Sequence, residues 1–224
     1  MPEVGCTTLF TVIMMSSFPI VLDRGPMPGT RAVIILVRDA TPDPRSLFPA
    51  PGYHRAMTFF ATLASPVGVI GVVSTGTAVT GVGWRMQPPS DASETGGAHA
   101  DPLLGEALAQ LRAYFAGRLT EFDLPFDLGP QSASAAAVLA ALHETVRFGE
   151  TVTYGELAAR SGSGVPARGI GSIMGANPIP ILVPCHRVVA GDGLGGYSGG
   201  DPGEGLITKR WLLEHEGALP TALF

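Results

Sequence analysis

Lysine is all but missing from this chain. Of 224 residues only Lys209 is a lysine, and arginine supplies the other basic charges. Charged residues make up 15% of the sequence and the formal net charge is −5, so the global field repels phosphate and any polyanion must be met by a local surface. Cysteine is nearly as scarce. Cys6 and Cys185 stand far apart and form no CxxC, which argues against a disulfide framework and fits a free thiol in a reducing, cytoplasmic setting. The histidines (His54, His99, His143, His186 and His215) do not join these cysteines at a zinc-site spacing, so no structural metal is expected. Long apolar runs are also lacking. Thr8–Leu22 is too short to span a bilayer, is interrupted by Pro19, and has only Glu3 charged ahead of it, without the positive flank of a signal peptide. No membrane partner is expected. What is abundant is apolar residue, 46% of the chain, in a length that allows one large domain or two small ones with real cores.

Punctuation by proline and glycine suggests three parts. Residues 1–56 form an extension of unassigned role, with one strand-like run at Arg31–Arg38 and a proline-rich linker from Thr41 to Gly52. Residues 57–130 open with short β-rich runs at Thr58–Leu63, Val67–Val73 and Ala78–Trp84, the pattern of a small antiparallel sheet. A loop over Pro88–Asp101 leads to a helix over Leu103–Leu119, whose apolar stripe reads Leu104, Leu108, Leu111 and Phe115. Residues 131–224 are mostly helical. A helix spans Ala135–Val146. Thr153 and Glu156 then form a capping box ahead of a helix at Tyr154–Arg160. A Gly162–Gly164 turn follows, and a second helix starts at Pro166 and runs to about Gly175. The fold class is α/β in the α+β sense: a small N-terminal antiparallel-sheet domain, then a helical C-terminal domain with a helix-turn-helix. That helical pair fits a DNA reader, but any αα-hairpin has the same pattern.

Prolines at 178, 180 and 184 hold Ile179–Val183 out of helix and suggest an extended segment that delivers Cys185 at its end. A thiol becomes nucleophilic as the thiolate, so a proton acceptor is needed. His186 is adjacent, yet neighbouring side chains of an extended segment point to opposite faces, which favours a base acting through a bridging water. Glu216, four residues after Leu212 and three after Leu213, shares the apolar face of a last helix at Ile207–His215 and is the candidate to orient the imidazole. Glu214 reads as solvated. An inert core cysteine beside a structural histidine stays open as the alternative. Gly191–Gly200, with six glycines around Tyr197 and Ser198, suits a loop whose backbone approaches something closely.

The run Asn177–Val189, with its Pro184-Cys185-His186-Arg187-Val188 core, resembles the active-site signature of the O6-alkylguanine-DNA alkyltransferases. The likeness extends from about Val146 to Gly217, more weakly over Met57–Met86, and not to residues 1–56. It implies single-turnover removal of a methyl group from O6-methylguanine in double-stranded DNA onto Cys185 with no cofactor; for the oligomeric state a monomer is the default expectation. In this likeness Ala167 and Arg168 belong to a helix that enters the minor groove, and Arg168 takes the place of the flipped base. Tyr154 helps rotate the nucleotide and Asn177 ties the recognition helix to the active-site turn. The carbonyls of Cys185 and Val188 accept from the guanine amine, Tyr197 walls the pocket and Ser198 donates to O6. The chain departs from the family pattern at Ser134 and Ala140, where aromatic residues are usual, and in the longer Asp201–Glu204 loop. A related class without a reactive cysteine binds alkylated DNA and leaves it unrepaired, which is the alternative reading. From His143 to Arg187 four arginines face three glutamates, so a shallow salt dependence of DNA binding is expected.

Overall fold

The computed structural model describes residues 57–90 and 101–220, together with the backbone of two short strands, β1 (Met14–Met15) and β2 (Phe18–Pro19). These two pair antiparallel and fall in a unit that ends at Ile34. The expected strand at Arg31–Arg38, the proline-rich linker and most of the loop after Pro88 lie outside the described residues.

Three strands, β3 (Phe59–Ser65), β4 (Gly68–Ser74) and β5 (Val79–Trp84), form an antiparallel meander in that order. β3 and β4 are joined by Pro66-Val67, with Ser65 paired to Gly68, and a bulge interrupts the β4–β5 register at Val73/Ser74. Helix α1 (Pro102–Phe115) lies against this sheet. Asp101 caps it, accepting from the amides of Leu103 and Leu104, and Pro102 occupies the first turn, where no amide donor is missed. Its buried stripe is Leu104, Ala107, Leu108, Leu111 and Tyr114. The stripe was expected to end on Phe115. The helical period carries it to Tyr114, which is fully buried, while Phe115 is only half-buried.

The second half opens with α2 (Ala133–Thr145), capped by Ser132 and buried along Val138, Leu139 and Leu142. Ser134 and Ala140 are half-buried and add little to that stripe. Helices α3 (Tyr154–Ser161) and α4 (Ala167–Gly175) make the helix-turn-helix. The capping box is present: Thr153 Oγ1 accepts from the Glu156 amide and Glu156 accepts from the Thr153 amide at 2.8 Å. Gly162 ends α3 in the left-handed conformation, with φ 59°. Pro166 is the N-cap of α4, one position earlier than expected. In this half two strands were not expected from the sequence. β6 (Val152–Thr153) and β7 (Val188–Val189) pair in parallel and fasten the start of the helix-turn-helix to the segment after Cys185. The last helix, α5 (Gly205–His215), begins two residues early. One apolar core runs through both halves, from Ile70 and Leu111 to Val183 and Leu212.

Candidate active site

The segment leading to Cys185 is a compact turn, not the extended run expected. The Val183 amide donates back to Ile179 O at 3.0 Å and Ile181 sits at φ 76°, a left-handed conformation rare for a β-branched residue. Asn177, at the end of α4, holds the turn closed: its Nδ2 donates to Val183 O at 2.8 Å and its Oδ1 accepts from the Ile179 amide at 3.2 Å. Pro184, at φ −83° and ψ 65°, makes an inverse γ-turn, so the Cys185 amide meets Val183 O at 2.8 Å. Cys185–Arg187 then form a 3-10 turn. The prolines do exclude helix, as expected. They do not enforce extension, because each fixes φ at a value that turns also use.

Cys185, His186 and Arg187 are all buried, and the polar atoms of His186 and Arg187 converge on Glu216, the C-cap residue of α5. His186 Nε2 lies 2.8 Å from Glu216 Oε1. Arg187 donates from Nε to Oε2 at 2.8 Å and from Nη2 to Oε1 at 3.0 Å, a fork that matches the carboxylate plane. Tyr114 Oη donates to Oε1 at 2.7 Å. Burial alone would raise the Glu216 carboxyl, but the bonds and charges of His186 and Arg187 outweigh it and hold it well below the usual carboxylate range. Burial keeps His186 below its ordinary value, against the pull of Glu216, so the imidazole is neutral. An ionised carboxylate only accepts, so the neutral ring carries its proton on Nε2 and leaves Nδ1 as the basic lone pair. Nδ1 is buried and has no hydrogen-bond partner.

Arg187 and Tyr114 are the residues the sequence reading missed. Arg187 is one of the four arginines of the expected DNA footprint, but its guanidinium is spent on Glu216 and on Val146 O at 2.9 Å. The available signal was a lone charge inside an apolar segment, which demands a partner. Glu214 is not free in solvent either: it is half-buried and 3.7 Å from Arg210.

Lys209, the chain's single lysine, has a structural role that its rarity did not signal. It is fully buried, and Nζ donates to Val188 O at 2.6 Å and Gly196 O at 3.0 Å, joining β7 to the glycine-rich loop. Burial lowers its ammonium to about 8, partly offset by the nearby Cys185 sulfur. Burial likewise pushes the Cys185 thiol up, while the Asn177 side chain and the Lys209 charge pull it partly back. The resting sulfur is therefore a thiol, and attack requires a proton acceptor. The Tyr197 hydroxyl lies beside it, buried and without a well-formed hydrogen bond, and burial first and then the sulfur raise it well above its usual value.

A cavity of about 440 Å³ opens onto this sulfur, within the roughly 300–1,000 Å³ usual for small-molecule sites. Its walls bring together Tyr154 of α3, Ala167 and Arg168 of α4, Cys185, and Tyr197 and Ser198 of the glycine-rich loop. Arg168, Ala167 and Ser198 are exposed at its rim, and Tyr154 is half-buried with its hydroxyl 3.4 Å from Gly196 O. Val188 does not line it. Its side chain is buried, and its carbonyl, with one lone pair left, already accepts from Lys209. The Cys185 carbonyl accepts from the Val188 amide.

Residues 133–218 match the model of the 6-O-methylguanine DNA methyltransferase DNA binding domain, and residues 58–128 match that of the same family's ribonuclease-like domain. Among curated proteins the chain is similar to the methylated-DNA–protein-cysteine methyltransferase of Mycobacterium tuberculosis, 38% identical over 161 residues, covering 71% of this chain and 93% of that protein. It is 44% identical over 127 residues to the Mus musculus protein of the same name, which spans 54% of this chain and 57% of the mouse protein. The crystal structure of Mycobacterium tuberculosis O6-methylguanine methyltransferase superposes with a TM-score of 0.59 at 35% identity, over 75% of this chain and 98% of that one. That of the Mycobacterium tuberculosis protein in complex with DNA gives 0.58 at 37% identity, over 71% and 93%.

Proposed function

This chain belongs to the 6-O-methylguanine DNA methyltransferase family, and on that premise we propose how its residues divide the work. The activity is direct DNA repair, in which a methyl group passes from O6-methylguanine in DNA to the sulfur of Cys185. The observation that carries the assignment to this sulfur is its position. Cys185 is buried at the inner wall of a cavity whose outer rim is the helix-turn-helix, and its neighbour His186 ends a relay to an ionised carboxylate.

His186 Nδ1 takes the thiol proton through one water, and Glu216 holds the ring in the tautomer that makes this possible. The thiolate then attacks the methyl carbon. The Sγ–C bond forms as the C–O6 bond breaks, and the electron pair stays on the base, which takes up a proton to become guanine. Ser198 donates to O6 as charge gathers there. Tyr197 walls the pocket, and the backbone carbonyl of Cys185 reads the base edge. Since a buried sulfur cannot reach a stacked base, the nucleotide must leave the duplex. Tyr154 assists that rotation, while Arg168 fills the gap and Ala167 lies against the backbone. A planar guanidinium suits Arg168 to stacking and hydrogen bonding in that place. Asn177 keeps α4 in register with the sulfur. The thioether has no easy exit, so each molecule acts once, and no cofactor takes part because nucleophile and acceptor are one atom.

The working form we propose is a cytoplasmic monomer without a membrane partner, with residues 57–130 and 131–224 as its two domains and residues 1–56 as an extension. A reactive cysteine in this position disfavours a non-catalytic binder of alkylated DNA. The test is to incubate the protein with a duplex holding one O6-methylguanine, then digest it and weigh the peptides. The peptide containing Cys185 should gain one methyl group per molecule; a lesion that is bound and keeps its methyl would return the chain to the binder class.

A further inference from the structure

Glu216 Oε1 is the most heavily shared atom of the relay. It takes His186 Nε2 at 2.8 Å, Arg187 Nη2 at 3.0 Å and, from a different part of the fold, Tyr114 Oη at 2.7 Å. Tyr114 belongs to α1, in the half of the molecule that holds the sheet, 102 residues away in sequence from the carboxylate it touches. It grips the end of α5 twice. Its hydroxyl donates to Glu216, and its carbonyl lies 2.8 Å from Nε2 of the preceding residue, His215.

We propose that Tyr114 is a positioning residue of the alkyl-transfer relay: its hydroxyl fixes Glu216 Oε1, and so sets how firmly the carboxylate holds the imidazole of His186. The inference rests on the relay reading given above. The hydroxyl is not needed for packing. The ring is surrounded by Phe115, Phe122, Phe148 and His215, all with centroids within 6.2 Å, an environment that phenylalanine would fill as well. A fully buried hydroxyl in such surroundings costs stability unless it is bonded, and its bond goes to the one carboxylate oxygen that also holds His186. The remaining charged and titratable groups around the relay are Arg187 from the active-site turn, Lys209 from α5 and Tyr197 from the glycine-rich loop. Arg187 already covers Oε2 and part of Oε1, so the Tyr114 hydroxyl is the contact from outside the C-terminal half that tunes what His186 meets.

The direction of the effect follows from the charge. A donor on Oε1 spreads the carboxylate's charge and weakens its hold on the imidazole proton. Without that donor His186 is more basic, and the neutral form needed to accept the thiol proton is reached only at higher pH. The experiment compares wild type, Tyr114→Phe and a protein with 3-fluorotyrosine placed at 114, under single-turnover conditions with saturating duplex holding O6-methylguanine, from pH 5 to 9. Methylation of Cys185 in the wild type tests the transfer itself; the displacement between proteins tests Tyr114. In Tyr114→Phe the acid limb of the rate profile should move up by roughly 0.5–1 pH unit, the size of one hydrogen bond to a carboxylate. The stronger donor fluorotyrosine should move it down, and that protein keeps every contact should the phenylalanine variant fold poorly. A limb that stays in place in both proteins overturns the proposal, whether or not the melting temperature or the plateau rate falls, because a purely structural tyrosine changes those without moving the limb.

Discussion

At the scale of single residues the site is a balance of buried charges. Arg187 and Glu216 have side chains 8% and 0% exposed, so the pair is worth keeping only while both members remain. Glu216→Gln should leave the guanidinium buried without its counter-charge and lower the unfolding free energy by about 3–5 kcal/mol, as read from urea denaturation at pH 7. The loss should also depend on pH. Glu216 is held below its ordinary carboxylate value in the folded state, so its contribution is complete above the unfolded value of about 4.3 and drains away as pH falls toward the folded one. The gap between wild type and variant should therefore be constant near neutrality and close in acid. A gap that is the same at pH 3 as at pH 7 would mean that ionised Glu216 is not what stabilises the fold.

At the scale of elements, much was legible from sequence because its causes are local. The capping box at Thr153 and Glu156, the glycine that ends α3 and the three strands of the meander all follow from nearest-neighbour chemistry, and each lies within a residue or two of its expected place. What was not legible came from contacts distant in sequence. The parallel pairing of Val152–Thr153 with Val188–Val189 joins segments 36 residues apart, and no periodicity marks it. The folded-back turn at Ile179–Val183 depends on Asn177 bonds that proline content does not reveal. The glycine-rich loop was read as one where the backbone comes close to something, and the structure identifies what. A Cβ on Gly205, at the start of α5, would collide with the carbonyl of Tyr197. Gly205→Ala should thus shift Tyr197 away from the sulfur and slow transfer about tenfold or more while the protein stays folded, since misplacement by about an ångström can cost a hundredfold. Single-turnover rates alongside a thermal melt would show it; an unchanged rate would place the loop outside the reacting geometry.

For the molecule as a whole, the DNA-facing surface is less basic than the sequence suggested. With Arg187 withdrawn into the core, the segment from His143 to Arg187 presents three arginines, Arg147, Arg160 and Arg168, against three glutamates, Glu144, Glu150 and Glu156. Arg147 is moreover within 3.7 Å of Glu121, and Arg160 donates to Thr145 O. Few phosphates can then be neutralised by side chains. The slope of log affinity against log salt should be shallow, no steeper than about −2 to −3, which corresponds to two or three released counterions. A slope near −6 would show a basic surface supplied from elsewhere in the chain. The overall fold class, an antiparallel sheet followed by a helical part, could be read from the sequence, because hydrophobic period and breakers set it. The tie between the parts could not, because Tyr114 and Glu216 carry no pattern that points from one to the other.

The outer side of β5 makes a second connection between the parts. At Val79 the strand bridges to Phe126 of the connecting segment, and at Val82 its amide donates to Pro178 O, at the head of the turn that ends in Cys185. A strand with a free flank is an invitation to other chains. Here the connecting segment and the turn that ends in Cys185 share that flank, so the segment that carries the reactive sulfur also occupies part of an edge where a foreign strand could pair.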